Sequence, residues 1–277
     1  MKVSSMDKYC VFGNPIKQSR SPYIHQSFAK ATRQVIHYDI FFVELDGFTQ
    51  AVNDFITQEG KGANVTAPFK EQAMLMCDEL TEHAKFSGAV NTLTFKNGKI
   101  YGDTTDGVGL VNDLLANNVC MKNSRILLLG AGGAAKGVVL PLLNQQPQSL
   151  TIANRTVAKA QAIVEQYTDQ PLSACSFDEA NKQAFDIIIN ATSAGLTGKG
   201  IPIEEKLITH SCVCYDMTYG KELTPFLQKA QKLNAKKVID GLGMLVGQAA
   251  ASFDIWRGIK PDVEPVLIAL RQSLTKG

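Results

Sequence analysis

Apolar and polar positions follow two rhythms along this chain. Short apolar runs recur at Tyr9–Phe12, Ile126–Leu129, Leu150–Ala153, Phe185–Asn190, Cys212–Asp216 and Lys237–Asp240. Runs of this length suit strands buried on both faces of a sheet. Between them, Leu110, Val111, Leu114 and Leu115 fall at helical spacing, as do Val138, Val139, Leu142 and Leu143, and then Val157, Ala160, Ile163 and Val164. Further strands are expected at Tyr38–Glu44, at Asn64–Thr66 and at Gly88–Phe95. Further helices are expected near Pro22 with Ser21 as cap, over Phe48–Thr57, from Phe69, over Thr224–Asn234 and from Gly241 to about Trp256. Asp262 is placed to cap a last helix. Asn97-Gly98 is a type I′ hairpin signal that returns the chain through Lys99 to Tyr101. Strand alternating with helix throughout argues for parallel α/β sheets in both halves.

Bulk properties narrow the function classes. With 277 residues the chain can form two domains, each with its own core. A composition of 45% hydrophobic and 19% charged residues is that of an ordinary globular protein. A net charge of +2 gives no reason to invoke nucleic acid or a membrane surface. No apolar run approaches the ~20 residues a membrane span needs. The first seven residues lack the apolar core of a secretory signal, so a cytoplasmic location is expected. The six cysteines are scattered without a C-x-x-C pair, and the four histidines form no metal motif. Buried reduced thiols and no metal are expected, with Cys212 and Cys214 on one face of their strand.

The strongest local signal is Arg125-Ile-Leu-Leu-Leu-Gly-Ala-Gly-Gly-Ala-Ala-Lys-Gly137. Gly130, Gly132 and Ala135 fit G-x-G-x-x-G/A between a strand and a helix, with Gly133 as an extra glycine. The first glycine permits the tight turn, the second lets a pyrophosphate approach the backbone, and the small third residue lets helix pack on strand. The N–H groups at the helix start would face the phosphates. The next strand ends in Asn154-Arg155-Thr156 with Lys159 one turn on, where an NAD site usually carries an acidic residue. A carboxylate would repel a 2′-phosphate, whereas Arg can grip one. NADP is therefore the expected cofactor, although a solvated basic turn gives the same sequence.

In the first half the polar candidates are less specific alone. Ser19 and Ser21 read as turn and cap residues. Lys70 falls in the first turn of a helix, where the dipole disfavours a cation unless its head reaches an anion or a reacting group. Asp106 precedes a helix, where an N-cap is the common role. Gln248 is the polar side chain in the small-residue stretch 241–251.

Taken together, these residues resemble one family along nearly the full length. Gly13-Asn-Pro-Ile with Ser19 and Ser21, Asn64-Val-Thr-x-Pro-Phe-Lys70, Ala89-Val-Asn-Thr92 and Thr105-Asp-Gly107 resemble shikimate dehydrogenases. So do Gly130-Ala-Gly-Gly-Ala134, Asn154-Arg-Thr156, Asn190-Ala-Thr192, Tyr215-Asp-Met217 and Gly241-Leu-Gly-Met-Leu245. The resemblance implies NADP-linked interconversion of shikimate and 3-dehydroshikimate, with Lys70 and Asp106 as the catalytic pair. It implies that Ser19 and Ser21 hold the substrate carboxylate. Asn64, Thr66, Asn91, Asp106, Tyr219 and Gln248 match positions around its hydroxyls. On the cofactor side it implies Gly130, Ala131, Gly132, Gly133 and Ala134 at the phosphates. Asn154, Arg155, Thr156 and Lys159 would meet the 2′-phosphate, with Thr192, Met217 and Gly241 near the nicotinamide. Thr104 and Ala135-Lys136 depart from the frequent Asn and Ser-Arg, and the second departure bears on cofactor affinity.

The implied architecture is an N-terminal α/β substrate domain (1–106) and a doubly wound Rossmann-like NADP domain (107–240), with a cleft between them. C-terminal helices (241–277) would return to the first domain, in a monomer or homodimer. An amine near pKa 10.4 and a carboxylate near 3.9 are each poorly matched to neutral pH alone, but side by side they can relay a proton. Which of the two carries it stays open, because coupled groups titrate as a pair. Two other readings fit parts of the pattern. A quinate/shikimate enzyme with NAD tolerance is opposed by the basic Asn154-Arg155 turn. A non-catalytic NADP sensor is opposed by the presence of both Lys70 and Asp106.

Overall fold

A computed structural model describes residues 6–192 and 201–276. The first five residues, residues 193–200 and Gly277 lie outside them. The chain divides into two units. One holds the residues up to Gly109 together with Val246–Ala269, and the other holds Leu110–Leu245 together with the residues from Leu270. Both main divisions fall inside helices rather than in linkers.

The first unit runs β1 (Asp7–Gly13), α1 (Ser21–Ala31), β2 (Ile36–Phe42), α2 (Phe48–Thr57), β3 (Gly60–Val65), α3 (Lys70–Leu75), β4 (Glu79–Leu80), α4 (Glu82–Ser87), β5 (Thr92–Lys96) and β6 (Lys99–Asp103). Its sheet has the order β2-β1-β3-β5-β6-β4. The β2-β1-β3 part is parallel, as expected. However, β5 runs antiparallel to β3 and to β6, so this sheet is mixed rather than parallel. The cause is local: Asn97 and Gly98 both take positive φ (54° and 73°), and a two-residue hairpin joins only antiparallel strands. Alternation along β1 sorts its side chains onto two faces. Cys10 and Phe12 join Phe48, Val52, Phe55, Phe69 and Leu93, while Tyr9 and Val11 join Ile16, Tyr38 and Trp256. Each such side chain contributes about 1.5–3 kcal/mol on burial.

The second unit begins within α5 (Asp106–Ala116). It continues through β7 (Arg125–Leu129), α6 (Gly133–Leu143), β8 (Ser149–Ala153), α7 (Val157–Val164), β9 (Leu172–Cys175), α8 (Phe177–Ala180), β10 (Ile187–Asn190), β11 (Val213–Asp216), α9 (Pro225–Lys232) and β12 (Lys237–Asp240). Helix α10 (Leu242–Arg257) and helix α11 (Glu264–Lys276) follow, and the Asp262 carboxylate accepts from the Glu264 N–H at 3.1 Å. The sheet is wholly parallel, in the order β12-β11-β10-β7-β8-β9. That is the doubly wound order, and the strand order reverses between β7 and β10. Cys212 and Cys214 face one core cluster with Leu127, Leu129 and Ile188, and all six thiols are free.

Candidate active site

In the first unit the strand ends deliver polar side chains to one place. Asn64 sits next to the end of β3, paired across the sheet with Thr92 of β5, and Thr92 is in turn paired with Asp103 of β6. Asn91 precedes β5, held by its N–H to the Asp103 carbonyl (3.0 Å) and by its own carbonyl to the Val65 N–H (2.8 Å). Lys70 opens α3, and its carbonyl accepts from the Val90 N–H at 2.9 Å. The sheet thus fixes the backbone of every one of these groups before any side chain is considered.

Lys70 Nζ donates to Asp106 Oδ2 at 2.5 Å. The two side chains are 31% and 17% exposed, so the pair is reachable from solvent yet largely enclosed. This is the anion that a lysine at a helix N-terminus needs. Asp106 is the first residue of α5 rather than a cap before it. Its other oxygen accepts from the Asn91 amide at 2.9 Å, so the carboxylate is spent on Lys70 and Asn91 instead of on helix N–H groups. The Asn91 amide also reaches Gln248 Oε1 (3.4 Å) and Thr105 Oγ1 (3.1 Å).

Asn64 is committed to the protein on every side. It is buried, and its amide is engaged throughout by the protein. Oδ1 accepts from Tyr38 Oη at 2.7 Å and meets His25 Nε2 at 3.1 Å. Nδ2 donates to the Asn91 carbonyl (3.1 Å), Ser252 Oγ (3.0 Å) and Thr92 Oγ1 (3.3 Å). An Asn has two acceptor sites and two donors, so none is left for a ligand. Thr66 follows β3, half-buried. Ser21 is not the cap of α1: Arg20 holds that position without a side-chain bond, and Ser21 is the first helical residue. The Ser19 hydroxyl accepts from the Ser21 N–H at 3.3 Å, Ser21 is buried and Arg20 is exposed. His25, Tyr38, Thr92, Thr105 and Ser252 were not anticipated. The available signal was His25 itself, one turn after Ser21 on the face that also carries Phe28.

In the second unit Gly130 takes φ 106° just beyond β7. A Cβ there would lie 3.0 Å from Thr192 and 3.3 Å from the Ala191 carbonyl, at the switch between β7 and β10. At Gly132 and Gly133 a Cβ would meet nothing within 4 Å, and Gly132, Gly133 and Ala134 are exposed while Ala131 and Ala135 are buried. The start of α6 therefore offers N–H groups beside open space, which fits a pyrophosphate. After β8, Asn154 Nδ2 donates to the Thr156 carbonyl at 2.9 Å, which shapes the turn that carries Arg155 and leads to Lys159. Arg155, Thr156 and Lys159 are exposed. These donors suit a 2′-phosphate, and no carboxylate occupies the turn. Beyond β11, Met217 and Gly241 are drawn together. The Gly241 N–H donates to the Thr218 carbonyl at 3.0 Å, and a Cβ on Gly241 would overlap the Met217 carbonyl. Tyr219 belongs to this unit.

Three family models match the chain. They are the shikimate dehydrogenase substrate binding domain over residues 11–93, shikimate/quinate 5-dehydrogenase over 113–205, and the shikimate 5′-dehydrogenase C-terminal domain over 241–271. A shikimate dehydrogenase (NADP(+)) from Colwellia psychrerythraea is 58% identical over 99% of this chain and 100% of its own. Among solved structures, the Ael1 enzyme from Pseudomonas putida is 41% identical with a TM-score of 0.92, over 95% of this chain and 98% of its own. A shikimate 5-dehydrogenase from Thermus thermophilus, solved with NADP(H) and shikimate, is 29% identical with a TM-score of 0.88, over 97% and 100%.

Proposed function

The chain belongs to the shikimate dehydrogenase family of NADP-dependent oxidoreductases, and we propose that its first unit holds the substrate while its second holds NADP. The reaction is the reversible NADPH-dependent reduction of 3-dehydroshikimate to shikimate. When bound, NADPH would give the hydride to carbon 3 of the substrate, and NADP+ would take it up in the reverse direction. The proton at the adjoining oxygen falls to this chain. A lysine ammonium has three donors, of which Asp106 engages one. The others can reach the substrate oxygen, giving it a proton in one direction and recovering it in the other. Asp106 holds the ammonium in place, and the two act as one acid–base unit.

The remaining assignments follow the same chemistry. Thr66, Asn91 and Gln248 hold substrate hydroxyls, Asn91 by exchanging its long 3.4 Å contact with Gln248 for a substrate oxygen, and Ser19 and Ser21 hold its carboxylate. Asn64 supports these groups from beneath, because its amide is fully engaged. Gly130 to Ala134 take the pyrophosphate, Asn154 to Thr156 with Lys159 take the 2′-phosphate, and Thr192, Met217 and Gly241 line the nicotinamide. A soluble biosynthetic step of this kind suits a cytoplasmic enzyme.

The observation that carries this reading is the Lys70–Asp106–Asn91 constellation, one ammonium and one amide on a single carboxylate. The test is nicotinamide absorbance during incubation with shikimate, run in parallel with NADP and with NAD. Rapid reduction of NADP and slow reduction of NAD is the expected result. No reduction of either cofactor would sink the reading.

A further inference from the structure

We propose that His25 is a positioning residue for the acid–base pair, heading a one-way chain of buried hydrogen bonds that ends in the Asn91 amide donating to Asp106. The inference rests on reading Lys70 and Asp106 as that pair.

Two atoms that cannot donate fix the direction of the chain. The backbone carbonyl of Asn91 only accepts, so the Asn64 amide must turn its Nδ2 toward it, at 3.1 Å. That places the Asn64 Oδ1 against His25 Nε2 (3.1 Å) and Tyr38 Oη (2.7 Å), and both must donate to it. His25 is therefore protonated on Nε2, and its Nδ1 is buried without a hydrogen-bond partner among the described residues. At the other end the Asp106 carboxylate accepts, so Asn91 turns its Nδ2 toward it at 2.9 Å. The Asn91 Oδ1 then accepts from Thr92 Oγ1 at 2.8 Å and from the Thr105 N–H at 2.9 Å. Having given its proton to Asn91, Thr92 accepts from Ser252 at 2.8 Å, a shorter bond than the competing one from Ser252 Oγ to the Gln248 carbonyl at 3.1 Å. Ser252 in turn accepts the second Asn64 amide proton at 3.0 Å.

Every donor thus points the same way: His25 to Asn64, Asn64 to Ser252, Ser252 to Thr92, Thr92 to Asn91, and Asn91 to Asp106. Hydrogen bonds aligned in this sense polarise one another. The far end then presents a firmly oriented, strengthened donor to the carboxylate that holds Lys70. The chain is insulated from water. His25, Asn64, Asn91, Thr92 and Ser252 are all buried, and the imidazole lies against Tyr38 (4.3 Å between centroids, 8° between planes), with Phe28, Phe253 and Trp256 around it. An apolar side chain in place of His25 would fit that cage better, since it would leave no orphaned nitrogen. Stability alone therefore does not account for a histidine here.

The test uses two substitutions of similar volume. His25→Gln keeps an N–H that can donate to Asn64, and His25→Met has none. We expect Met to lower kcat by about fivefold, with the KM for NADP unchanged, and Gln to restore kcat to within about twofold of wild type. A role in packing alone would make the two variants alike. A second readout does not depend on turnover: the Asn91 side-chain amide proton signals should move in His25→Met and stay in His25→Gln. If wild type fails to turn over shikimate, the functional reading falls, and the Asn91 signals still decide this inference. Should His25→Met not fold, Tyr38→Phe removes the other donor to the same oxygen and should both slow kcat and move those signals. Equal kcat in the Met and Gln variants, or Asn91 signals unmoved in Met or in Tyr38→Phe, would overturn the proposal.

Discussion

Acidification should destabilise this protein through His25, by an amount that can be worked out in advance. Burial pushes the imidazole from its ordinary 6.5 down to about 3, against a smaller upward pull from its bond to Asn64. Protonation would have to occur at Nδ1, which has no hydrogen-bond partner among the described residues, inside a cage of Tyr38, Phe28, Phe253 and Trp256. In the unfolded chain the same imidazole takes up a proton below about 6.5. Between those values the unfolded state binds more protons, so stability rises with pH and is lost as pH falls. The slope is at most about 1.4 kcal/mol per pH unit, and the loss integrates to about 2.5 kcal/mol between pH 7 and pH 4.5. Carboxylates add their own acid dependence, but they do so equally in a variant that lacks the imidazole. The assay is therefore the thermal midpoint of wild type and His25→Gln across that pH range. Wild type should lose about 2.5 kcal/mol of its margin over the variant. Two curves that stay parallel down to pH 4.5 would refute the buried neutral histidine.

Four further outcomes are expected. Lys70→Ala should reduce turnover at least ~100-fold while leaving NADPH binding, followed by cofactor fluorescence, nearly unchanged. Arg155→Asp should shift the ratio of kcat/KM for NADP over NAD by about tenfold or more toward NAD, and an unchanged ratio would place the 2′-phosphate elsewhere. Ser19→Ala should raise the KM for shikimate about tenfold at saturating NADP while Arg20→Ala changes it little, because hydrogen bonds to a charged group are worth ~1.5–3 kcal/mol each and Arg20 faces outward. Gly132→Val should keep the melting temperature near wild type, since a Cβ there meets nothing within 4 Å, yet abolish NADPH binding by filling the phosphate space.

How far the sequence can be read depends on whether the signal is local. The β7 run, the Gly130–Ala135 turn and α6 were legible because one strand, one strained glycine and one helix start lie side by side in the chain. The Asn97-Gly98 hairpin was equally clear, and it should have counted against a parallel sheet in the first half. β4 and β9, with their short neighbouring helices, passed unread, although Ser176 and Glu179 form a capping box that the S-x-x-E spacing announces. The Lys70–Asp106 pair was different. The two are 36 residues apart; the place of Lys70 in a first helical turn called for an anion without saying which, and Asp106 read as a helix cap, so only the family resemblance joined them. Asn64 was placed facing the ligand by the family resemblance. The structure turns its amide inward, and nothing in the motif reveals that direction. His25 and Ser252 enter the site across intervals of 39 and 188 residues from Asn64, a distance over which periodicity carries no information.

The same logic organises the second unit, around a buried carboxylate. Asp216 ends β11 fully buried, which would be costly for an unpaired carboxylate. Its oxygens instead accept from Asn190 Nδ2 (3.0 Å), the Thr218 N–H (3.0 Å), Thr218 Oγ1 (2.8 Å) and Thr224 Oγ1 (2.6 Å). Asn190, with its amide committed to Asp216, turns its Oδ1 outward to the Thr192 N–H (3.0 Å) and Oγ1 (2.7 Å). One buried charge thereby sets the exit of two neighbouring strands at once: the turn that carries Thr192 and the turn that carries Met217. In both units a sheet fixes backbones, and a fully satisfied polar residue at a strand end fixes the direction of the next group. Asn64 and Asp216 are thus conformational machinery. Replacing Asp216 by Asn would keep its volume but turn one acceptor into a donor facing one N–H and one hydroxyl, so the turn that oxygen holds should loosen while β10 and β11 stay paired.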